Sequence, residues 1–180
     1  MNNIAVLGGT GFIGKEVMKY PNTVHCPLRF EDPQVDYDAW FLENPQIDTV
    51  IHLARACKRK GERSKSRDLD TFLSEMAGIQ KLLTVLDSST RIVFASTCCV
   101  YGIFGPDYTR YTAAQVAAQI MEPGIGIENC PKDETESQLV DLTDLADHQK
   151  IYVMTKLAIE QMIQHHTKNH KILRIWSTQK

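Results

Sequence analysis

Short apolar runs alternate with longer amphipathic segments along the 180-residue chain. Mainly apolar runs predict strands at residues 4–7, 23–26, 49–54, 92–95 and 172–176, and the run at 49–54 is apolar enough to be buried on both faces of a parallel sheet. Helical spacing of apolar residues marks the segments between them, at residues 12–20, 39–43, 68–86 and 148–166. This alternation predicts an α/β fold built on a doubly wound parallel sheet.

Residues 103–131 interrupt the alternation. A short helix is predicted over residues 112–121, between two segments rich in glycine and proline. A structureless loop of this length is unusual inside a compact domain, yet the segment is too short to fold by itself. We therefore expect one domain spanning residues 1–180, with 103–131 as an inserted subdomain, lid or contact surface.

Composition narrows the range of partners and locations. A hydrophobic content of 43% is sufficient for a core, and a net charge of -2 with scattered basic residues argues against nucleic-acid or membrane-surface binding. Neither a signal peptide nor a membrane-spanning run is expected. The 5 cysteines lack disulfide or zinc spacing, so we expect a cytoplasmic protein without a metal site.

A glycine-rich turn follows the first predicted strand, with the sequence Gly8-Gly9-Thr10-Gly11-Phe12-Ile13-Gly14. Glycine permits a tight strand-to-helix turn and allows the backbone to approach a pyrophosphate closely. The N–H groups and dipole of the following helix attract phosphate. Gly8, Gly11 and Gly14 are therefore expected to bind a dinucleotide, as in Rossmann-type domains, and a purely structural turn is the alternative.

The second predicted strand ends without the acidic residue that usually binds the adenosine ribose. Arg29 follows that strand, and a guanidinium there would favour the 2′-phosphate of NADP, although a surface role is an equal alternative. Asp36 is a candidate for the adenine contact, with Asp32 as its rival. The cofactor is thus NAD or NADP, with Arg29 inclining the prediction towards NADP.

A tyrosine and a lysine are spaced to lie on one helix face. Tyr152 and Lys156 are four residues apart in a helical pattern, so the ammonium should lower the pKa of the phenol. Such a tyrosine can exchange a proton with a substrate alcohol while a nicotinamide exchanges a hydride, and the lysine can also bind the nicotinamide ribose. Thr97 follows the fourth predicted strand, where it could orient the substrate oxygen. These three residues are the predicted catalytic set, and a chance surface pair is the alternative.

Taken together, these segments resemble the extended short-chain dehydrogenase/reductase superfamily, in its NAD-dependent epimerase/dehydratase branch. The matching segments are residues 8–14, 48–54, 94–102, 152–156 and 173–175. The resemblance implies catalytic roles for Thr97, Tyr152 and Lys156. It also implies that Leu53 and Ala54 pass beneath a cofactor lined by Gly8, Gly11, Phe12, Ile13 and Gly14. Typical members epimerise, dehydrate or reduce nucleotide-linked sugars.

The chain also departs from that family. Glu75 stands where an Asn is usual, Arg55 replaces an Ala, and the chain ends at Lys180, where members continue into a substrate domain. Three functions follow from these observations: an epimerase/dehydratase or oxidoreductase acting on a sugar-like small molecule, a non-catalytic or fragmentary NAD(P)-binding module, and a simple carbonyl reductase capped by residues 103–131. A homodimer through helices 68–86 and 148–166 is left open by the resemblance.

Overall fold

The computed structural model describes residues 3–28, 36–54, 69–102, 111–130, 139–175 and 178–179. Its strands are β1 (Ile4–Leu7), β2 (Thr23–Cys26), β3 (Thr49–His52), β4 (Arg91–Thr97), β5 (Tyr111–Thr112), β6 (Gly126–Cys130), β7 (His170–Ile175) and β8 (Thr178–Gln179). Its α-helices are α1 (Gly14–Val17), α2 (Tyr37–Glu43), α3 (Leu69–Val85), α4 (Ala113–Met121) and α5 (Asp147–His166). One-turn 3-10 helices occupy Cys98–Tyr101 and Leu142–Asp144. Within these ranges no helix combines the length and apolar character needed to cross a membrane.

A parallel sheet of six strands forms the centre of the fold, in the order β2-β1-β3-β4-β7-β6. The predicted α/β architecture with a doubly wound, Rossmann-type sheet is therefore confirmed. The chain starts in β1, adds β2 on one side and then crosses to β3 on the other, with Leu7 paired to His52. Ligands bind at such a switch point, beyond the carboxyl ends of the strands.

Apolar side chains cover both faces of the sheet, because successive side chains on a strand point in opposite directions. One set packs beneath α2, α3 and α5, and its strand members are Ala5, Leu7, Cys26, Val50, Ile92, Phe94 and Ile172. The intervening residues pack beneath α1 and α4, and they are Val6, Ile51, Val93 and Leu173. Burial on both faces explains why these strands are mainly apolar in the sequence.

Helix α4 and strand β6, in the described part of the segment 103–131, belong to the helix layer and to the main sheet, whereas β5 pairs with β8 in a separate two-stranded sheet. Helix α4 starts one residue after the predicted start, behind a capping box formed by Thr112 and Gln115, and it packs against α1. Strand β6, which the sequence pattern did not predict, pairs with β7. Residues 111–130 therefore do not form a separate subdomain or lid, and whether 103–131 is an insertion relative to the family stays a prediction.

Two cations hold the connection between α4 and β6. Lys171 on β7 is completely buried, and its ammonium donates to the carbonyl oxygens of Gln119 (2.7 Å) and Glu122 (3.0 Å). It also forms an ion pair with Glu128 at 3.3 Å. Arg91, at the start of β4, donates to the carbonyl oxygen of Gly124 at 2.9 Å. These contacts lie at the end of the sheet where its strands begin, opposite the end at which β1, β3 and β4 terminate.

Candidate functional site

The first glycine of the turn lies against the end of β3. Gly8 has a φ of +84°, and a Cβ there would be 2.8 Å from the backbone nitrogen of Ala54 and 2.9 Å from the carbonyl carbon of Leu53. The Leu53 N–H donates to the carbonyl oxygen of Leu7 at 2.9 Å, which holds the two chain segments together. The structure thus places Leu53 and Ala54 beside the glycine turn, and only glycine fits at position 8.

The other glycines make the turn narrow. The Gly11 N–H donates to the carbonyl oxygen of Gly8 at 2.9 Å, and a Cβ on Gly14 would lie 2.7 Å from the Cα of Gly9. Helical hydrogen bonding begins at once, from the Lys15 N–H to the Gly11 carbonyl oxygen at 3.0 Å. The backbone therefore forms a shallow cradle that side chains would fill, and this shape fits a group bound through main-chain N–H donors, such as a pyrophosphate.

Two further residues of the turn contribute side chains. Phe12 is 45% exposed at the start of the helical turn, whereas Ile13 is partly buried against the core beneath α1 and α4. His25, which the sequence analysis missed, lies under the same turn: its Nδ1 is 3.3 Å from the carbonyl oxygen of Val6 and would be 2.9 Å from a Cβ on Gly9. A single histidine in a short strand carries no pattern that would have identified it.

The remaining cofactor predictions concern the end of β2. Arg29 and its neighbour Asp32 lie outside the described residues, so the NADP prediction stays a prediction. Asp36 is exposed, and its carboxylate accepts a hydrogen bond from the Ala39 N–H at 3.0 Å as the N-cap of α2. Cys26 ends β2, and burial raises the pKa of its thiol to about 11, against the opposing effect of a backbone hydrogen bond at Leu28.

Helix α5 carries the tyrosine and lysine, as the spacing predicted. Lys156 is only 6% exposed, and its ammonium donates to the carbonyl oxygen of Ala95 on β4 at 3.3 Å. The same ammonium lies 4.8 Å from the centroid of the Phe94 ring, a cation–π contact. Tyr152 is partly buried one helical turn earlier. The lysine is therefore held against the end of β4, with the phenol on the same side of the helix.

Thr97 is the last residue of β4 and is 6% exposed. Its Oγ accepts a hydrogen bond from the Cys99 N–H at 3.2 Å, which caps the Cys98–Tyr101 turn. Because α5 packs against both β4 and this turn, the structure brings Thr97, Tyr152 and Lys156 to one edge of the sheet. The glycine turn ends β1 at the same edge, since all the strands of the main sheet are parallel.

A buried histidine also lies near this edge of the sheet. His52 ends β3, is 1% exposed, and lies edge-on to Phe94 at 5.4 Å between ring centroids. Burial, aided by the positive charge of Lys156, lowers the pKa of His52 from 6.5 to about 3. The imidazole is therefore neutral at neutral pH, and it adds no competing charge beside the Lys156 ammonium. Sequence reasoning missed it because only the fold brings His52 close to Lys156.

Two other features bear on the site. Glu75, which occupies a position where the family usually has Asn, is 3% exposed on α3. Within the described ranges, no three His, Cys, Asp or Glu side chains are grouped as a metal ion would need. The arrangement brings a hydroxyl, a phenol and an ammonium to the sheet edge that carries the backbone cradle.

Comparison with known proteins identifies the family and the fold of the chain. The NAD dependent epimerase/dehydratase family matches residues 4–177. No curated protein matches the chain in sequence. Solved structures with the same fold include a UDP-glucose 4-epimerase, which is 20% identical with a TM-score of 0.55 over 96% of this chain and 51% of its own.

Two further solved structures are similar. The dTDP-4-dehydrorhamnose reductase of Yersinia enterocolitica is 14% identical, with a TM-score of 0.59 over 98% of this chain and 53% of its own. The UDP-glucose-4-epimerase of Stenotrophomonas maltophila, solved with NAD and formylated UDP-arabinopyranose, is 22% identical, with a TM-score of 0.52 over 92% and 48%. The chain thus spans about half the length of the solved structures it matches. At these identities the likeness establishes the fold.

Proposed function

Because the chain belongs to the NAD-dependent epimerase/dehydratase family, we propose that it binds NAD or NADP and converts a nucleotide-linked sugar by epimerisation, dehydration or reduction. The observation that carries this proposal is the glycine cradle at the end of β1, beside a lysine fixed at the end of β4. The two features meet at the sheet edge where ligands bind in doubly wound folds.

In the proposed reaction, each residue at this edge has a separate task. The nicotinamide would exchange a hydride with a substrate carbon. Tyr152 would take the proton from the hydroxyl on that carbon, or return it in the reverse direction. Lys156, held by Ala95, would stabilise the phenolate form of Tyr152 and bind the nicotinamide ribose. Thr97 would donate a hydrogen bond to the substrate oxygen, since its bond to Cys99 uses an Oγ lone pair rather than its hydrogen.

Separate observations support the choice of cofactor, the substrate class, the oligomeric state and the location. Arg29 favours NADP over NAD, and two of the similar solved structures bind or are named for UDP-linked sugars, which favours a sugar nucleotide as the substrate. A homodimer is supported by apolar side chains exposed on two packed helices, Leu69 (62%) and Leu73 (54%) on α3 and Met154 (45%) on α5. The cysteine pattern favours a cytoplasmic location.

A second candidate is a nucleotide-binding module without turnover. It is favoured by Glu75, a buried carboxylate in α3 where the family usually has an amide. This candidate shares the glycine cradle with the first and differs in lacking a complete substrate site.

Two measurements on the 180-residue chain test these proposals. Calorimetric titration with NAD and with NADP comes first, and incubation of the loaded protein with UDP-glucose follows, with sugar products separated by chromatography. Cofactor binding with turnover supports the enzyme. Binding without reaction on any sugar nucleotide supports the module. A folded protein that binds neither cofactor contradicts both, and the Gly14→Ala variant is the matched control for binding at the cradle.

A further inference from the structure

Arg174 lies at the centre of a buried polar network next to the candidate site. It is on β7, and its Nε and Nη2 donate to the two carboxylate oxygens of Glu160 at 3.2 Å and 2.8 Å. The two side chains are 10% and 1% exposed. An ion pair that is this deeply buried needs two well-aligned hydrogen bonds, because an unpaired charge there would strongly destabilise the fold.

The same guanidinium also reaches the turn that follows β4. Its Nη1 donates to the hydroxyl oxygen of Tyr101 at 2.6 Å, and its Cζ lies 5.0 Å from the centroid of the Tyr101 ring. Burial would lower the pKa of Arg174, but hydrogen bonds to Glu160 and Tyr101 outweigh burial and raise it. Arg174 therefore stays charged and holds two partners at once.

Glu160 extends this network to β4. It accepts a hydrogen bond from the Ser96 hydroxyl, and Ser96 pairs with Arg174 across the β4–β7 register. Glu160 lies one helical turn after Lys156, so Tyr152, Lys156 and Glu160 form one row along α5. The Glu160 carboxylate thus fixes to β4 the helix face that carries Tyr152 and Lys156.

Thr97 lies between the two points that Arg174 holds. Ser96, directly before it, is held through Glu160, and Tyr101, at the end of the turn that Thr97 caps, is held directly. The Thr97 Oγ accepts from the Cys99 N–H, whereas Glu160 bonds to Ser96 and Arg174 bonds to Tyr101. The network can therefore fix the backbone on both sides of Thr97 without contacting its hydroxyl.

We propose that Arg174 is a positioning residue, which with Glu160 fixes the backbone around Thr97 and aligns its hydroxyl with Tyr152 and Lys156. This inference rests on the proposed function, because alignment matters only if Thr97 orients a substrate oxygen. Small displacements of a catalytic group slow a reaction strongly, so a network that fixes a backbone segment has a direct effect on turnover.

Hydrogen exchange tests the positioning role without relying on activity. The reporters are the N–H groups of Cys99, bonded to the Thr97 Oγ, and of Gly102, bonded to the Cys99 carbonyl oxygen. The variants are Arg174→Lys, which keeps the charge but loses the forked geometry, and Tyr101→Phe, which removes only the hydroxyl. The control is Arg91→Lys, because Arg91 holds a single carbonyl at the opposite edge of the same sheet.

The expected result is faster exchange at both reporters in both variants, by about tenfold or more, because a hydrogen bond to a charged group is lost. The double variant should exchange no faster than Arg174→Lys, since both changes remove the same bond. Arg91→Lys should match the wild type, and NAD affinity should be unchanged in all four proteins. Unaltered exchange in Tyr101→Phe, which keeps the ion pair and should fold, would overturn the proposal.

Kinetics with UDP-glucose and NAD then separate this inference from the proposed function. In an active enzyme, kcat should fall about tenfold or more in Arg174→Lys and Tyr101→Phe, with little change in KM. Faster exchange with an unchanged kcat would refute positioning for catalysis. A wild-type protein that neither binds NAD nor reacts would remove the proposed function, while the exchange result would still decide whether Arg174 holds the Thr97 segment.

Discussion

Gly8 and Ala54 approach so closely that a Cβ on Gly8 would stand 2.8 Å from the Ala54 nitrogen. This contact joins the end of β1 to the chain leaving β3, at the point where the order of strands switches direction. The cradle at the sheet edge therefore depends on the absence of side chains as much as on any group that is present. A methyl group added to one of these glycines should therefore disturb the cradle.

Gly14→Ala should destroy the cradle, because its Cβ would overlap the backbone of Gly8 and Gly9. We expect the free energy of unfolding to fall by about 2 kcal/mol and calorimetric binding of NAD to be lost. Gly11→Ala is the graded control, since its Cβ would lie 3.1 Å from the Gly8 carbonyl oxygen and requires a smaller shift. Wild-type NAD affinity in Gly14→Ala would exclude the cradle as the binding site.

Tyr152→Phe should separate cofactor binding from chemistry. The phenol hydroxyl is the proposed proton carrier, and the substitution removes it while keeping the ring. Turnover of UDP-glucose should therefore fall by about 100-fold or more, with NAD affinity retained. Tyr20→Phe, at a partly buried position after α1, is the matched control and should react normally. Equal turnover in Tyr152→Phe and wild type would disprove the assigned role.

His52 should make the fold sensitive to acid. Its pKa is about 3 in the folded chain and 6.5 when unperturbed, so between these values the unfolded chain binds a proton that the folded chain does not. Unfolding free energy should thus be unaffected by His52 above pH 6.5 and decrease as the pH falls below it, by about 1.4 kcal/mol per unit.

Urea unfolding at about pH 7 and about pH 5 measures this effect. In His52→Gln the loss of stability between the two conditions should be smaller than in wild type by about 2 kcal/mol. The control is His165→Gln, which replaces an exposed histidine on α5. The same pH dependence in His52→Gln and wild type would show that the imidazole is not held neutral.

Lys171→Met should destabilise the fold without affecting the candidate site. Three acceptors surround the buried ammonium, namely the carbonyl oxygens of Gln119 and Glu122 and the carboxylate of Glu128. Leaving them unpaired should lower the unfolding free energy by about 2 kcal/mol or more. Lys168→Met, at an exposed position, should have little effect. NAD affinity should be the same in both variants, and equal stability would contradict a structural role for Lys171.

Hydrophobic patterning predicted the strands that are buried on both faces, since most of their positions must be apolar. Strand β6 escaped prediction because it lies at the edge of the sheet, where Glu128 alternates with Ile127 and Ile127 is 42% exposed. Helix α4, by contrast, was predicted almost to the residue, because the glycine- and proline-rich segments on either side of it are local signals.

The residues of the site also divide into those that local patterns identify and those that only long-range contacts bring together. Gly8, Gly11 and Gly14 follow one another in the chain, and Tyr152 and Lys156 are one helical turn apart, so short-range patterns identified both groups. Arg174 and Tyr101 are separated by 73 positions, and no spacing rule connects them. His52 is likewise brought to Lys156 only by the pairing of β3 with β4 and the packing of α5 on β4.

The sequence by itself determined the class of the fold and the local chemistry, because burial, turns and helix faces depend on neighbouring residues. Only the tertiary structure decided that β6 joins the main sheet, that Lys156 is held by Ala95, and that Arg174 holds the segment around Thr97. Those facts depend on which distant elements are adjacent in the sheet. Adjacency is set by the packing of the whole chain, which no local pattern contains.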